Sequence, residues 1–145
     1  MDLAAHGWSV AVHYRRSRAE ADAVVAEIAA AGGRAVTVEA DLADLARLPA
    51  LVDAAMAALG PIGLLVNNAS EFEPDEIGAL DLARFEHHLR VDLASPVLLA
   101  DAWLARLPEG VEGHVVNIVD QRVWRPTPRF FSYTLAKSAL WTATR

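Results

Sequence analysis

Residues 8–40 read WSVAVHYRRSRAEADAVVAEIAAAGGRAVTVEA, and the pattern of this stretch decides the fold. Trp8 to Tyr14 is short, apolar and rich in β-formers, which predicts a buried strand. Ser17 and Glu20 have capping-box spacing, so an Ala-rich helix is expected from there to about Ala31, where Gly32-Gly33 stops it. Ala35 to Ala40 (AVTVEA) returns to a strand pattern. Two such strands joined by a helix predict a parallel βαβ unit.

The same alternation extends outward. Asp2 to Gly7 has the form of a last helical turn closed by glycine. Downstream, a helix is expected from about Pro49, in its first turn, to Leu59, ended by Gly60. Gly63 to Asn67 reads as a third strand and His114 to Val119 as a fourth. Between them Asp81 can cap a long helix to about Leu107, bent near Pro96. A last helix starts near Ser132 and is expected to be still running at Arg145. The fold class is therefore α/β, a Rossmann-like doubly wound parallel sheet whose apolar strands are covered on both faces. Residues 1–145 read as a single partial domain.

Composition narrows the function classes. With 54% hydrophobic and 22% charged residues in 145, the chain is folded rather than disordered. It has no Cys, so disulfides and Cys zinc sites are excluded. A net charge of −6 argues against a nucleic-acid partner. No run of ~18 apolar residues predicts a membrane span. The start lacks the character of a signal peptide, so a cytoplasmic location is expected. Twelve of the 13 basic residues are Arg; the single Lys is Lys137.

Ligands of open α/β sheets bind at the carboxyl ends of strands. His13-Tyr14-Arg15-Arg16-Ser17 lies at one such end. Two guanidiniums beside a helix N-terminus suit a phosphate, such as the 2′-phosphate of NADP. A solvated basic turn is the plain alternative. Asn67-Asn68-Ala69-Ser70 follows the third strand, either beside a ligand or as an ordinary turn. His87 and His88 are adjacent on a helix and diverge, so no metal site is expected. Tyr133 and Lys137 stand at i and i+4 on one helix face. A Lys cation near a phenol favours phenolate and lowers its pKa from about 10, making it a usable acid.

Together these residues resemble the short-chain dehydrogenase/reductase family. Asn67-Asn68-Ala69-Ser70 resembles the family's N-N-A-G, and Tyr133-Thr134-Leu135-Ala136-Lys137 its Y-x-x-x-K. Asp41-Leu42 resembles the pair that meets the adenine. Two positions depart from the pattern: Asp120 stands where the family usually has Ser, and Asp92 where it often has Asn. Val119-Asp120, His13 to Ser17 and Ser70 to Pro74 (SEFEP) are similar to the pteridine reductase branch.

The resemblance implies an NADPH-dependent oxidoreductase that reduces a dihydropterin, a small-molecule partner, by hydride transfer. Tyr133 would donate the proton. Lys137 would lower its pKa and hold the nicotinamide ribose. Asp120 would position Tyr133 and the substrate, and Phe72 would stack on the pterin. Arg16, with Arg15 and Ser17, would bind the 2′-phosphate. His13, Asp41, Leu42, Asn68, Ala69 and Ser70, together with Tyr133 and Lys137, would complete the NADP(H) contacts. An ionised Asp120 suits a substrate rich in N–H donors and would serve a developing oxyanion poorly. Two alternatives remain: a generic carbonyl or 3-oxoacyl thioester reductase, and a non-catalytic NADP-binding or scaffold protein or inactive fragment. The resemblance also implies that these residues are a fragment of a reductase of roughly 250 residues. The strand and Gly-rich turn that begin the family fold would precede Met1, and that strand would lie between the first and third strands seen here. The isolated chain would then fold poorly and bind NADP weakly. The full-length protein would be a homo-oligomer with the long helix as an interface.

Overall fold

The structure is a computed structural model and describes residues 1–145. The order is α1 (Asp2–Ala5), β1 (Val10–Tyr14), α2 (Arg18–Ala30), β2 (Ala35–Glu39), α3 (Leu48–Leu59), β3 (Leu64–Asn67), α4 (Leu82–Leu89), a π-helical segment (Arg90–Ala94), α5 (Ser95–Leu104), β4 (His114–Asn117) and α6 (Phe131–Ala143). Short 3-10 turns at Leu45–Arg47 and Gln121–Val123 interrupt the connections.

Every strand pairing is parallel, as the alternation predicts, but the strands form two separate ribbons. β1 pairs with β2, Val10 opposite Ala35 through Tyr14 opposite Glu39. β3 pairs with β4, Leu64 opposite His114 through Asn67 opposite Asn117. The ribbons share no hydrogen-bonded strand pair. Between them lies an apolar cavity of about 360 Å³, reached by Val10 and Ala11 on one side and Leu64, Leu65 and Val66 on the other. The expected opening between the first and third strands is thus present. Covering on both faces is not: Val66, Val115 and Val116 are exposed, at 37–42%. Their apolar runs predict doubly covered strands, but Val66 and Val116, paired across the ribbon, and Val115, which points to the opposite face, all stay open here.

Only 22 of 145 residues are buried, so the core is small and sits beside the opening. Leu48 and Val52 of α3 pack with Leu99, Ala102 and Trp103 of α5 and with Leu42 after β2. Full burial of such a side chain stabilises by about 1.5–3 kcal/mol. Trp103 is anchored because its Nε1–H donates to the Ile62 carbonyl at 2.7 Å. Gly113 at the start of β4 lets the chain lie against this indole; a Cβ there would come within 2.6 Å of the Trp103 ring.

Local chemistry explains most element ends, with three corrections. Asp81 caps α4 as expected, accepting the Arg84 N–H at 2.8 Å. Ser17 occupies the N-cap of α2 but makes no side-chain cap bond, so the capping box with Glu20 does not form. The chain enters α2 through a tight turn in which the Arg18 N–H donates to the Arg16 carbonyl at 2.9 Å, an inverse γ-turn that takes Ser17 out of capping geometry. The long helix is not simply bent at Pro96; it widens into the π-helical segment just before it. Pro96 lacks an N–H and its ring crowds the carbonyl of Asp92 one turn earlier, which a π turn accommodates. The last helix ends at Ala143 rather than running through Arg145: Thr144 keeps near-helical angles (φ −80°, ψ −14°) and its N–H still reaches the Leu140 carbonyl at 3.0 Å, so only the final turn loosens. No helix is long and apolar enough to cross a membrane.

Candidate active site

The carboxyl ends of β3 and β4, the π-helical segment and the first turns of α6 meet at one place. Tyr133 and Lys137 are both buried on the inner face of α6, at 6% and 2% exposure. Asp120, after β4, reaches the Tyr133 hydroxyl, which donates to its Oδ2 over a long 3.3 Å. Lys137 Nζ donates to the Ile118 carbonyl at 3.0 Å and stands 3.7 Å from Asp92 Oδ1. Asp92 is fully buried within the π turn. It accepts from the Ser70 hydroxyl at 2.6 Å and from the Glu71 N–H at 3.2 Å. Asn67 ties the floor together, donating to Asn117 Oδ1 at 2.8 Å across the β3–β4 ribbon.

The electrostatics favour a proton-bearing phenol. Burial pushes the Tyr133 hydroxyl up, and the Asp120 charge pushes further, to about 12. Here the structure differs from the simple expectation for a Tyr–Lys pair. Lys137 Nζ lies 5.8 Å from the phenol ring centre and is shared with Asp92 and a carbonyl, so it does not offset burial and Asp120. Burial also works to raise Asp120, but the Arg122 N–H at 2.8 Å, the Arg122 guanidinium and the Tyr133 hydroxyl outweigh it, holding the carboxyl below the ordinary carboxylate range. Burial raises Asp92 and lowers Lys137, each partly opposed by the other's charge. Desolvation and mutual attraction therefore oppose each other at this pair.

The segment after β3 brackets this centre. Phe72 meets Tyr133 edge-on at 4.7 Å between ring centres. It stacks on Phe130 at 4.1 Å with planes 3° apart. The Arg122 guanidinium lies 5.0 Å from both ring centres, hence beside the stack rather than above either face. His87 and His88 diverge as expected: His87 Nε2 faces Glu71 at 3.3 Å, while the buried His88 Nε2 accepts the Glu73 N–H at 3.2 Å.

The second half of the site is an open cavity of about 770 Å³ at the carboxyl end of β1. His13, Arg15, Arg16, Ser17, Asp41, Leu42, Asn68, Ala69 and Ser70 all line it. The fold thus gathers every residue singled out for cofactor contact outside α6. Their freedom differs, however. His13 Nε2–H is spent on the Ala40 carbonyl at 2.9 Å, and Asp41 Oδ1 accepts the Ala43 N–H at 2.9 Å. Arg15 is paired with Glu71 at 2.7 Å. Arg16 makes no ion pair or side-chain hydrogen bond and stands exposed at the entry to α2. An unpaired guanidinium beside backbone N–H groups is a chemical fit for a phosphate.

Sequence reasoning missed four participants: Arg122, Phe130, Glu71 and Asp75. Arg122 had a signal, since Asp-x-Arg at a strand end can close on itself. Phe130, Glu71 and Asp75 had none, because each acquires its partner from a segment 56 to 58 positions away.

The whole chain, residues 1–145, matches the short chain dehydrogenase family model. The protein belongs to that family. An uncharacterised oxidoreductase of Methylorubrum extorquens is 37% identical over 137 residues, covering 91% of this chain and 53% of that protein. Pteridine reductase 1 of Leishmania tarentolae is 31% identical over 181 residues, covering 99% and 63%. The crystal structure of FolM alternative dihydrofolate reductase 1 from Brucella canis, complexed with NADP, superposes with a TM-score of 0.95 at 51% identity, covering 99% of this chain and 57% of that one. The chain thus spans little more than half the length of the relatives it matches.

Proposed function

We propose that the protein carrying this chain is an NADPH-dependent reductase of dihydropterins, with Tyr133 as proton donor. One observation carries this reading: a carboxylate, Asp120, stands at the proton donor's hydroxyl, with the Phe72 ring against the same phenol. An ionised carboxylate accepts hydrogen bonds and repels a developing oxyanion, so it suits a nitrogen-rich ring more than a simple ketone. The likeness to proteins described as a pteridine reductase and an alternative dihydrofolate reductase points the same way.

When bound, NADPH supplies the hydride, and this chain's residues bind, orient and protonate. Arg16 would hold the 2′-phosphate, with Ser17 beside it and Arg15 available once released from Glu71. Asn68, Ala69 and Ser70 would line the path from there towards α6. Tyr133, protonated well above neutral pH, would give its proton to the substrate atom. The Lys137 ammonium would stabilise the phenolate left behind, and Arg122 would limit its repulsion from Asp120. The opening between the ribbons would be filled in the intact protein by a further parallel strand from residues ahead of α1.

The test is NADPH oxidation by the intact protein with a dihydropterin or an acetoacetyl thioester. Turnover of the dihydropterin, lost in Asp120→Ser, is the expected result. Turnover of the thioester alone, or pterin kinetics unchanged by Asp120→Ser, would sink the assignment.

A further inference from the structure

Helix α6 carries the proposed proton donor in its first turn, yet it lacks a cap of its own. Its N-cap residue is Phe130, which has no side-chain acceptor and is held in the left-handed region at φ 64°. That conformation costs a non-glycine residue about 1–2 kcal/mol and persists only where the surroundings impose it. The first two free N–H groups of the turn are instead taken by one residue, Asp75, which lies 57 positions ahead of Ser132. The Asp75 carbonyl accepts the Phe131 N–H at 3.2 Å. Its carboxylate accepts the Ser132 N–H at 3.0 Å through Oδ1 and the Ser132 hydroxyl through Oδ2. Asp75 and Ser132 are both buried, at 7% and 0% exposure. Asp75 touches none of the reacting groups. Its bonds end on Ser132, the neighbour of Tyr133.

We infer that Asp75 is the positioning residue of the site, setting the place of the Tyr133 hydroxyl by clamping the start of α6. This rests on the reading of Tyr133 as proton donor. The geometry explains why a clamp is needed. The hydroxyl is held directly by a long bond to Asp120, 3.3 Å, with the Ser70 hydroxyl beside it. The aromatic contacts of Phe72 with Phe130 and Tyr133 are non-directional in comparison and do not fix the helix along its axis. Asp75 supplies three directional bonds from the segment that also holds Phe72 and, through Ser70, Asp92. It thereby registers the donor against both the aromatic platform and the Asp92–Lys137 pair. Misplacing a reacting group by about 1 Å can cost about a hundredfold in rate.

The test uses the intact protein with saturating NADPH and a dihydropterin. Asp75→Ala is expected to lower kcat about a hundredfold, while KM for NADPH, read in a separate series with NADPH varied, stays within about twofold of the original, because Arg15 and Arg16 stand at the end of β1 and not on α6. Asp75→Asn keeps an acceptor for the Ser132 N–H and should recover most of that loss; Ser132→Ala should lose about fivefold. The discriminating readout is the solvent deuterium isotope effect on kcat. A donor held out of place makes proton transfer more rate-limiting and enlarges the effect, whereas a mere loss of folded enzyme leaves it unchanged. Should Asp75→Ala fail to fold, the other two variants carry the same readouts. Normal kcat in the folded variants, or reduced kcat with an unaltered isotope effect, overturns the inference. Tyr133→Phe run alongside separates the two readings: if it retains full activity the donor assignment has failed, and if it is inactive while the Asp75 variants are normal only the clamp has failed.

Discussion

The α6 half of the site and the β1 half are built on opposite principles. Around α6 the charges nearest the proposed proton donor are paired: Asp92 faces Lys137, Asp120 faces Arg122, and burial shifts Tyr133, Asp92 and Lys137 away from their ordinary values. At β1 the arginines stand in solvent, and Arg16 has no partner at all. The difference teaches what each half is for. Buried, paired groups keep fixed positions and fixed protonation, which chemistry requires. An exposed cation contributes little to the fold and is available to an incoming anion.

The comparison can be broken most severely at Tyr133. Tyr133→Phe should cut reductase kcat by about a thousandfold, while NADPH affinity measured by fluorescence titration stays put; a large loss of affinity would mean the halves are not separate. Asp120→Ser comes next. It removes the carboxylate, strands Arg122, and should reduce dihydropterin turnover about a hundredfold in steady-state assays.

At the other half the effect moves to binding. Arg16→Ala should raise the NADPH Kd about tenfold or somewhat more, from loss of charge-assisted bonds worth about 1.5–3 kcal/mol that solvent partly screens. NADH affinity should hardly change, and Arg15→Ala should matter less, because Arg15 already answers to Glu71. Equal effects of the two substitutions would overturn the distinction between them.

The smallest expected effect is that of pH. The phenol, with its pKa raised to about 12, keeps its proton until strongly alkaline pH. The Asp120 carboxyl, lowered, keeps its charge until pH falls below the ordinary carboxylate range. Reduction should therefore show a level kcat between about pH 6 and about pH 9, with activity falling only as either limit is crossed. A limb at neutral pH would show that cofactor binding brings Lys137 to bear on Tyr133 and lowers it.

Most of the architecture was legible in the chain because its signals are local. Apolar runs of β-formers mark β1 to β4, Asp81 caps α4, and Gly32 at φ 82° ends the turn after α2. Seven of the nine cofactor-side residues lie in runs at strand ends, which carry ligands in such folds, whereas Asp41 and Leu42 are implied only by the family resemblance; one cavity does gather all nine. Other features were not legible. Ser17 has the spacing of a cap but not the backbone angles, which the turn into α2 decides. Pro96 announces an irregularity, but only the helix ladder shows that it is resolved as a π turn placing Asp92 inward.

The sequence by itself determined the alternation of strands and helices, the ends at which ligands would lie, and the pairing of Tyr133 with Lys137 on one face. These depend on neighbours within a few residues, where helix and strand periodicity fix direction. Tertiary structure alone decided that Asp75 caps α6, that Phe72 stacks on Phe130, and that Asp92 is the counter-ion of Lys137. It also decided the protonation of Tyr133. Desolvation and a charge brought from another element are properties of packing, and no spacing along the chain encodes them.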